Sequence, residues 1–108
     1  MNAQYKKGVL ELCVLSLLKK HDRYGYEISE YLSSHIDISD GTVYPILRKL
    51  KSDGLVTTYL QEESGGPPRK YYSLTKLGRE GYDADRTEYL QFAKVIESLL
   101  EDNGDDKE

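Results

Sequence analysis

The sequence predicts a mainly α chain with one small β-hairpin, and three stretches carry that prediction. Ile38 to Leu55, ISDGTVYPILRKLKSDGL, places apolar side chains at helical spacing between a capping start and a glycine stop. LVTTYLQ and RKYYSL are rich in β-branched and aromatic residues and flank the turn formers EESGGPP. From Thr75 to Asp102 no proline intervenes, and apolar residues recur with a seven-residue period.

Taken in order, Met1 to Lys7 reads as a polar lead-in. Gly8 to Lys20 reads as a helix on which Val9, Leu10, Leu12, Cys13, Val14, Leu15, Leu17 and Leu18 leave almost no polar face. Such a helix is covered on more than one side, by its own domain and by a second subunit. Lys19 and Lys20 fall in its last turn, at the negative end of the helix dipole. After the turn HDR, Tyr24 to Ser34 forms a second amphipathic helix with Tyr24, Ile28, Tyr31 and Leu32 on one stripe. Glu27, Ser29 and Glu30 lie mostly outside that stripe.

The third helix is expected over Thr42 to Asp53, with Val43, Ile46, Leu47 and Leu50 facing the core. Its other side carries Gly41, Pro45, Arg48 and Ser52, flanked by Thr42, Tyr44, Lys49 and Lys51. Small, hydroxyl-bearing and cationic groups of this kind suit a groove lined with phosphates. Ser39 or Asp40 caps the start, and Gly54 supplies the left-handed residue that ends it. Pro45 lacks an N–H and clashes with the carbonyl of Gly41 in a regular helix, so an irregular or late start is expected. The two strands then form a hairpin with a mobile tip. Thr75 caps the last helix through the N–H of Gly78. Along that helix Tyr82, Tyr89, Phe92, Ile96 and Leu99 take the a and d positions, Asp85 is the polar intruder, and Ala93 and Leu100 widen the stripe. About 42 Å of helix is longer than the small domain before it needs, so much of this face finds burial elsewhere, most simply against its own copy. The order helix, helix, helix, hairpin is a winged helix-turn-helix followed by a long C-terminal dimerisation helix.

Composition bounds the rest. With 108 residues and 38% hydrophobic content the chain is one domain with a modest core. Its net charge of −4 argues at first against nucleic acid, but the charge is unevenly spread. Residues 1–74 hold ten Lys/Arg against nine Asp/Glu, and residues 75–108 hold five against ten. The acidity therefore sits in the C-terminal third, while cations cluster at Arg48, Lys49 and Lys51 and at Arg69 and Lys70. No run of eighteen apolar residues spans a membrane, and MNAQYKKG lacks a signal peptide's apolar segment, so a cytoplasmic protein is expected. Enzyme readings fail on inventory: His21 and His35 are isolated, and with Cys13 they make no metal-ligand spacing. SGG is a turn without the lysine-serine pair of a phosphate loop. No nucleophile has a base beside it, so neither metal nor cofactor is expected, and the lone Cys13 reads as core packing.

YGYEI at Tyr24 to Ile28, GTVYPILRKLKSDGL at Gly41 to Leu55 and GGPPRKYYSLTKLG at Gly65 to Gly78 closely resemble the PadR family of bacterial transcriptional regulators, in its smaller branch with a single C-terminal helix. The resemblance spans about Lys7 to Leu100. It implies a homodimer, assembled through the first and last helices, that binds a pseudo-palindromic promoter site on double-stranded DNA and usually represses. Residues 1–74 are then the DNA-binding domain, 75–102 the dimerisation helix and 103–108 a disordered acidic tail. By position, Ser39, Gly41, Thr42, Tyr44, Arg48, Lys49 and Lys51 fall on the family's recognition helix, and Gly66, Arg69 and Lys70 on its wing. Leu12, Leu15, Tyr82, Tyr89, Phe92, Ile96 and Leu99 fall at its dimer interface. Some members of the smaller branch bind flat aromatic or drug-like compounds between the C-terminal helices, which makes Leu12, Ser16, Tyr89, Phe92 and Ala93 a candidate effector pocket. Tyr89 stands where tryptophan is common in those members, and with no tryptophan in the chain indole stacking is out of reach.

The competing reading of the cations is a solvated helix face and an edge strand charged against aggregation. The whole chain would then be a winged-helix module that binds another protein. Within the helix-turn-helix and beside a basic wing, DNA contact is the stronger reading. Arg48 points most directly outward and is the candidate for a guanine edge, with the lysines neutralising phosphates.

Overall fold

A computed structural model describes residues 3–62 and 65–102 of the chain. In order these form α1 (Ala3–Lys20), β1 (Arg23–Tyr24), α2 (Gly25–Ser33), α3 (Asp40–Ser52), β2 (Val56–Gln61), β3 (Arg69–Leu74) and α4 (Lys76–Asp102). The expected acidic tail, and Glu63 and Ser64 at the hairpin tip, lie outside the described residues.

The first helix begins at Ala3, five residues before the expected Gly8. Alanine, glutamine and lysine are good helix formers, and a Cβ at Gly8 would meet nothing, so the glycine costs only its own entropy. Along α1, Leu10, Val14, Leu15, Leu17 and Leu18 are buried against Ile28 and Leu32 of α2 and the α3 stripe. That stripe is the predicted one: Val43, Ile46, Leu47 and Leu50 are all at most 1% exposed. Burial pushes the Cys13 thiol pKa above its ordinary value, which suits packing and not nucleophilic chemistry.

Of the irregular or late start expected for α3, the irregular one is found. The helix opens at Asp40 and carries Pro45 in its interior. The first turn absorbs the irregularity: the Thr42 N–H donates to the Ser39 carbonyl three residues back at 3.0 Å, and Val43 reaches the same oxygen at 3.4 Å. Neither expected cap forms a side-chain hydrogen bond to the helix start. The Asp40 carboxylate instead accepts from the hydroxyl of Ser29. Ser29, expected on the outer face of α2, is buried for that reason. At the other end Leu55 N–H donates to the Leu50 carbonyl and Gly54 N–H to that of Lys51, both at 3.0 Å. With Gly54 at φ 78°, this is the glycine stop the sequence predicts.

The expected antiparallel hairpin forms, with Val56 opposite Leu74 through Gln61 opposite Arg69. It is joined by a third strand that the sequence reading took for a turn. Arg23 pairs with Tyr72 and Tyr24 with Tyr71, giving the sheet order β1-β3-β2. Tyr24 thus belongs to the sheet, and Tyr31 is largely exposed, so only Ile28 and Leu32 of the four-residue stripe reach the core. Arg23 is buried, donating from Nε to the Leu17 carbonyl at 3.4 Å and lying 3.6 Å from Glu27.

Thr75 does what its position predicts, accepting the Gly78 N–H on its Oγ1 at 2.9 Å. The same hydroxyl donates to the Gly54 carbonyl at 2.7 Å, locking the end of α3 to the start of α4. Tyr82 closes the core from α4, which packs on α1 and β3. After Tyr82 the helix continues alongside α1, with Tyr89 and Phe92 facing Gly8 to Leu15 across a hollow, and the whole chain measures 67 × 28 × 21 Å.

Candidate nucleic-acid interface

The helix-turn-helix and the wing meet at one groove. Tyr44 and Arg48 enter it from α3, Arg69 and Lys70 from β3, and Tyr24 and Tyr26 from the junction of β1 and α2. Four residues predicted from two separate stretches of sequence are therefore brought together. Tyr44 is half-buried against Gly25, where a Cβ would come within 3.0 Å of its ring. Glycine at the start of α2 thus lets the recognition helix approach closely. Among the described residues no carboxylate lies within salt-bridge distance of Arg48, Lys51, Arg69 or Lys70. These cations are available to an external anion.

The other predicted residues are distributed around that groove. Ser39, Gly41 and Thr42 line a second recess at the start of α3, together with Pro45, Ile46 and Lys7. Lys51 is exposed in the last turn of α3, and Gly66 is exposed near the tip of the wing. Lys49 is engaged elsewhere: its Nζ lies 2.9 Å from Asp53 and 3.6 Å from Glu11 of α1. The Asp53 hydrogen bond, with both carboxylates nearby, raises its pKa. A phosphate would have to displace those two carboxylates.

Tyr71 and Tyr72 point to opposite faces of the strand, as a strand through adjacent tyrosines predicts, with Tyr72 buried and Tyr71 partly exposed; the row of tyrosines across the outer face is not foreseen. Tyr24, Tyr71 and Tyr59 are register partners across the three strands, with ring centroids 5.6 Å apart at each step. The guanidinium of Arg69 lies 4.4 Å from the centroid of the Tyr24 ring. The adjacent tyrosines of RKYYSL place one ring on each face of the strand, but the row becomes legible only with β1 and β2 in register beside it.

The predicted interface and effector residues divide by burial. Leu15 and Tyr82 are already packed inside the protomer's own core and leave little surface for a partner. Leu12, Tyr89 and Ile96 are half-buried, while Phe92 and Leu99 are each 58% exposed. Leu100, which widens the expected stripe, is exposed too, and Val95 extends the bare apolar face beyond it. Leu12, Tyr89 and Phe92 share a hollow between α1 and α4 with Glu11, Asp85 and Glu88. Ala93 lines an adjoining hollow on α4 with Tyr89, Phe92 and Ile96, and Ser16 lines neither. Among the described residues no cluster of three His, Cys, Asp or Glu side chains could hold a metal ion, and no helix is long and apolar enough to cross a membrane.

Three helices, a three-stranded wing and cations converging from both define a winged helix-turn-helix regulator. The chain belongs to the PadR-like family of transcriptional regulators, whose family model matches residues 14–84. It is similar to a PadR-like transcriptional regulator of Bacillus cereus, with 34% identity, a TM-score of 0.82, and coverage of 91% of this chain and 97% of that one. A Streptococcus transcriptional regulator matches at 34% identity and a TM-score of 0.83, over 92% of this chain and 99% of the other. A transcriptional regulator of Mycobacterium tuberculosis is 28% identical over 86% of this chain and 87% of its own length. The protein is a transcriptional regulator of this family, and its relatives are regulators and not enzymes.

Proposed function

We propose that the protein is a homodimeric repressor that binds a pseudo-palindromic promoter site through residues 1–74 and dimerises through residues 75–102. The observation that carries this reading is the convergence of Arg48 with Arg69 and Lys70 in one groove, without competing carboxylates among the described residues. Arg48 on the recognition helix reads a base edge in the major groove, and Arg69 and Lys70 hold the adjacent backbone. Tyr44, Ser39, Gly41, Thr42, Lys51 and Gly66 complete the contact surface, with Lys49 a secondary member because Glu11 and Asp53 hold it.

The bare apolar face of α4 supports the dimer. Phe92, Val95, Leu99 and Leu100 are each more than half exposed, which is costly in water unless a second copy covers them. Two-fold symmetry then sets two recognition helices on one face of the duplex, about 34 Å apart. A small aromatic effector seated between α1 and α4 at Leu12, Tyr89 and Phe92 changes that separation and so relieves repression.

The test uses duplexes carrying the inverted repeat from the DNA upstream of the protein's own gene. Inserting five base pairs between half-sites turns one of them to the opposite face of the helix and is expected to lower affinity at least tenfold. Ten inserted base pairs restore the face. Equal affinity at all spacings would show half-sites bound independently and would overturn the dimeric reading.

A further inference from the structure

The geometry points to Tyr24 as the residue that positions Arg69 for the DNA backbone, a role resting on the DNA-binding reading above. Tyr24 ends β1 and precedes the first residue of α2, with extended backbone at φ −87° and ψ 161°. On the sheet's outer face its ring packs on Tyr71, and Tyr71 stacks on Tyr59 at an interplanar angle of 15°. The Tyr59 hydroxyl donates to Asp22 at 2.7 Å, and Asp22 stands two residues before Tyr24. Tyr71 therefore backs the Tyr24 ring, and Tyr59 and Asp22 tie Tyr71 to the segment just before β1.

Arg69 lies two residues before Tyr71 on β3 and so projects from the same face of the sheet. That places it diagonally across from Tyr24, with its guanidinium 4.4 Å from the ring centroid. An arginine side chain is long and rotamer-rich, and this one sits where the wing opens toward its tip. Stacking on a ring that is itself packed on Tyr71 restricts it before DNA arrives. A carboxylate would restrict it too, but would also neutralise it. The aromatic face leaves the charge intact and the in-plane N–H groups free to donate to a phosphate. Among the described residues no carboxylate reaches Arg69, so the ring holds it without competing for the anion. Lys70, on the opposite face of the strand, has no such support.

A double-mutant cycle tests the assignment on the full chain. Affinity for the operator duplex is measured by fluorescence anisotropy for wild type, Tyr24→Phe and Tyr24→Leu, each with Arg69 present and in the Arg69→Ala background. Tyr24→Phe keeps the aromatic face and is expected to bind as wild type does. Tyr24→Leu is expected to weaken binding about threefold to fivefold, and to change nothing further once Arg69→Ala is made. A loss of the same size in both backgrounds would mean that Tyr24 serves only the fold, and would overturn the assignment. NMR supplies a readout independent of DNA. The Arg69 Cδ protons are expected upfield, under the ring current, in wild type and Tyr24→Phe and to return to ordinary shifts in Tyr24→Leu. Ordinary shifts in wild type would refute the stacking itself. An upfield shift in a wild-type protein that binds no duplex would instead remove the DNA-binding reading, and with it any role for the stack.

Discussion

Gly78 shows how one missing side chain holds two elements together. A Cβ there would lie 2.0 Å from the carbonyl oxygen of Leu55, a backbone atom that also accepts the Thr75 N–H at 3.1 Å. The oxygen cannot move without breaking the junction of α3 and α4. Gly78→Ala is therefore expected to cost about 3 kcal/mol by overpacking, read as a lowered urea midpoint. Tyr72 makes a pH-dependent contribution. Burial, with help from Tyr44 and against Arg48, raises its phenol above the ordinary tyrosine pKa. The folded chain then holds that proton more tightly than the unfolded one. Its contribution is complete at neutral pH and is lost as the pH rises past about 10 toward the folded-state value. Tyr72→Phe should flatten that alkaline loss of stability. At the interface, Arg48→Ala is expected to cost about 1–3 kcal/mol of DNA affinity and relax preference at one base pair. Lys70→Ala should weaken all sequences alike; competition binding on a panel of single-base variants distinguishes the two. Residues whose role depends on helical spacing or a local cap were legible in the sequence, as the α3 stripe and Thr75 show. Gly78, Ser29 and Tyr24 were not, because each answers to a group that only the folded chain brings near.

Among the elements, α3 and α4 follow most directly from sequence, and β1 least. The α3 stripe, its glycine stop and the hairpin all rest on local periodicity or turn chemistry. Pro45 leaves an irregular or a late start open, and the irregular one is found, with bonds to Ser39 tightening the first turn. A two-residue strand has no periodicity to detect; β1 exists because β3 offers it a free edge. On α4 the heptad stripe was legible, but which residues face the protomer and which face outward depends on where the domain ends. The cover thins along the helix: Tyr82 is buried, Tyr89, Ala93 and Ile96 are half-buried, and Phe92, Val95, Leu99 and Leu100 are exposed. Replacing Phe92 and Ile96 together with aspartate should convert a dimer into a folded monomer, read by light scattering and circular dichroism. A variant that stays dimeric would place the interface elsewhere.

At the scale of the whole molecule, an acidic protein is proposed to bind a polyanion, and the arrangement of charge resolves the conflict. The excess of carboxylates lies in residues 75–108, on and beyond the long helix, while the groove between α3 and the wing collects Arg48, Arg69 and Lys70. The proposed dimerisation through α4 would double that groove. The most direct measurement is the affinity for the operator duplex as salt is raised from 50 to 200 mM. With both grooves engaged, about six to eight phosphates are neutralised, and the affinity should fall by a factor of about a thousand or more on a linear log–log plot. An affinity that hardly changes over that range would contradict the account, because the converging cations would then not be what holds the DNA.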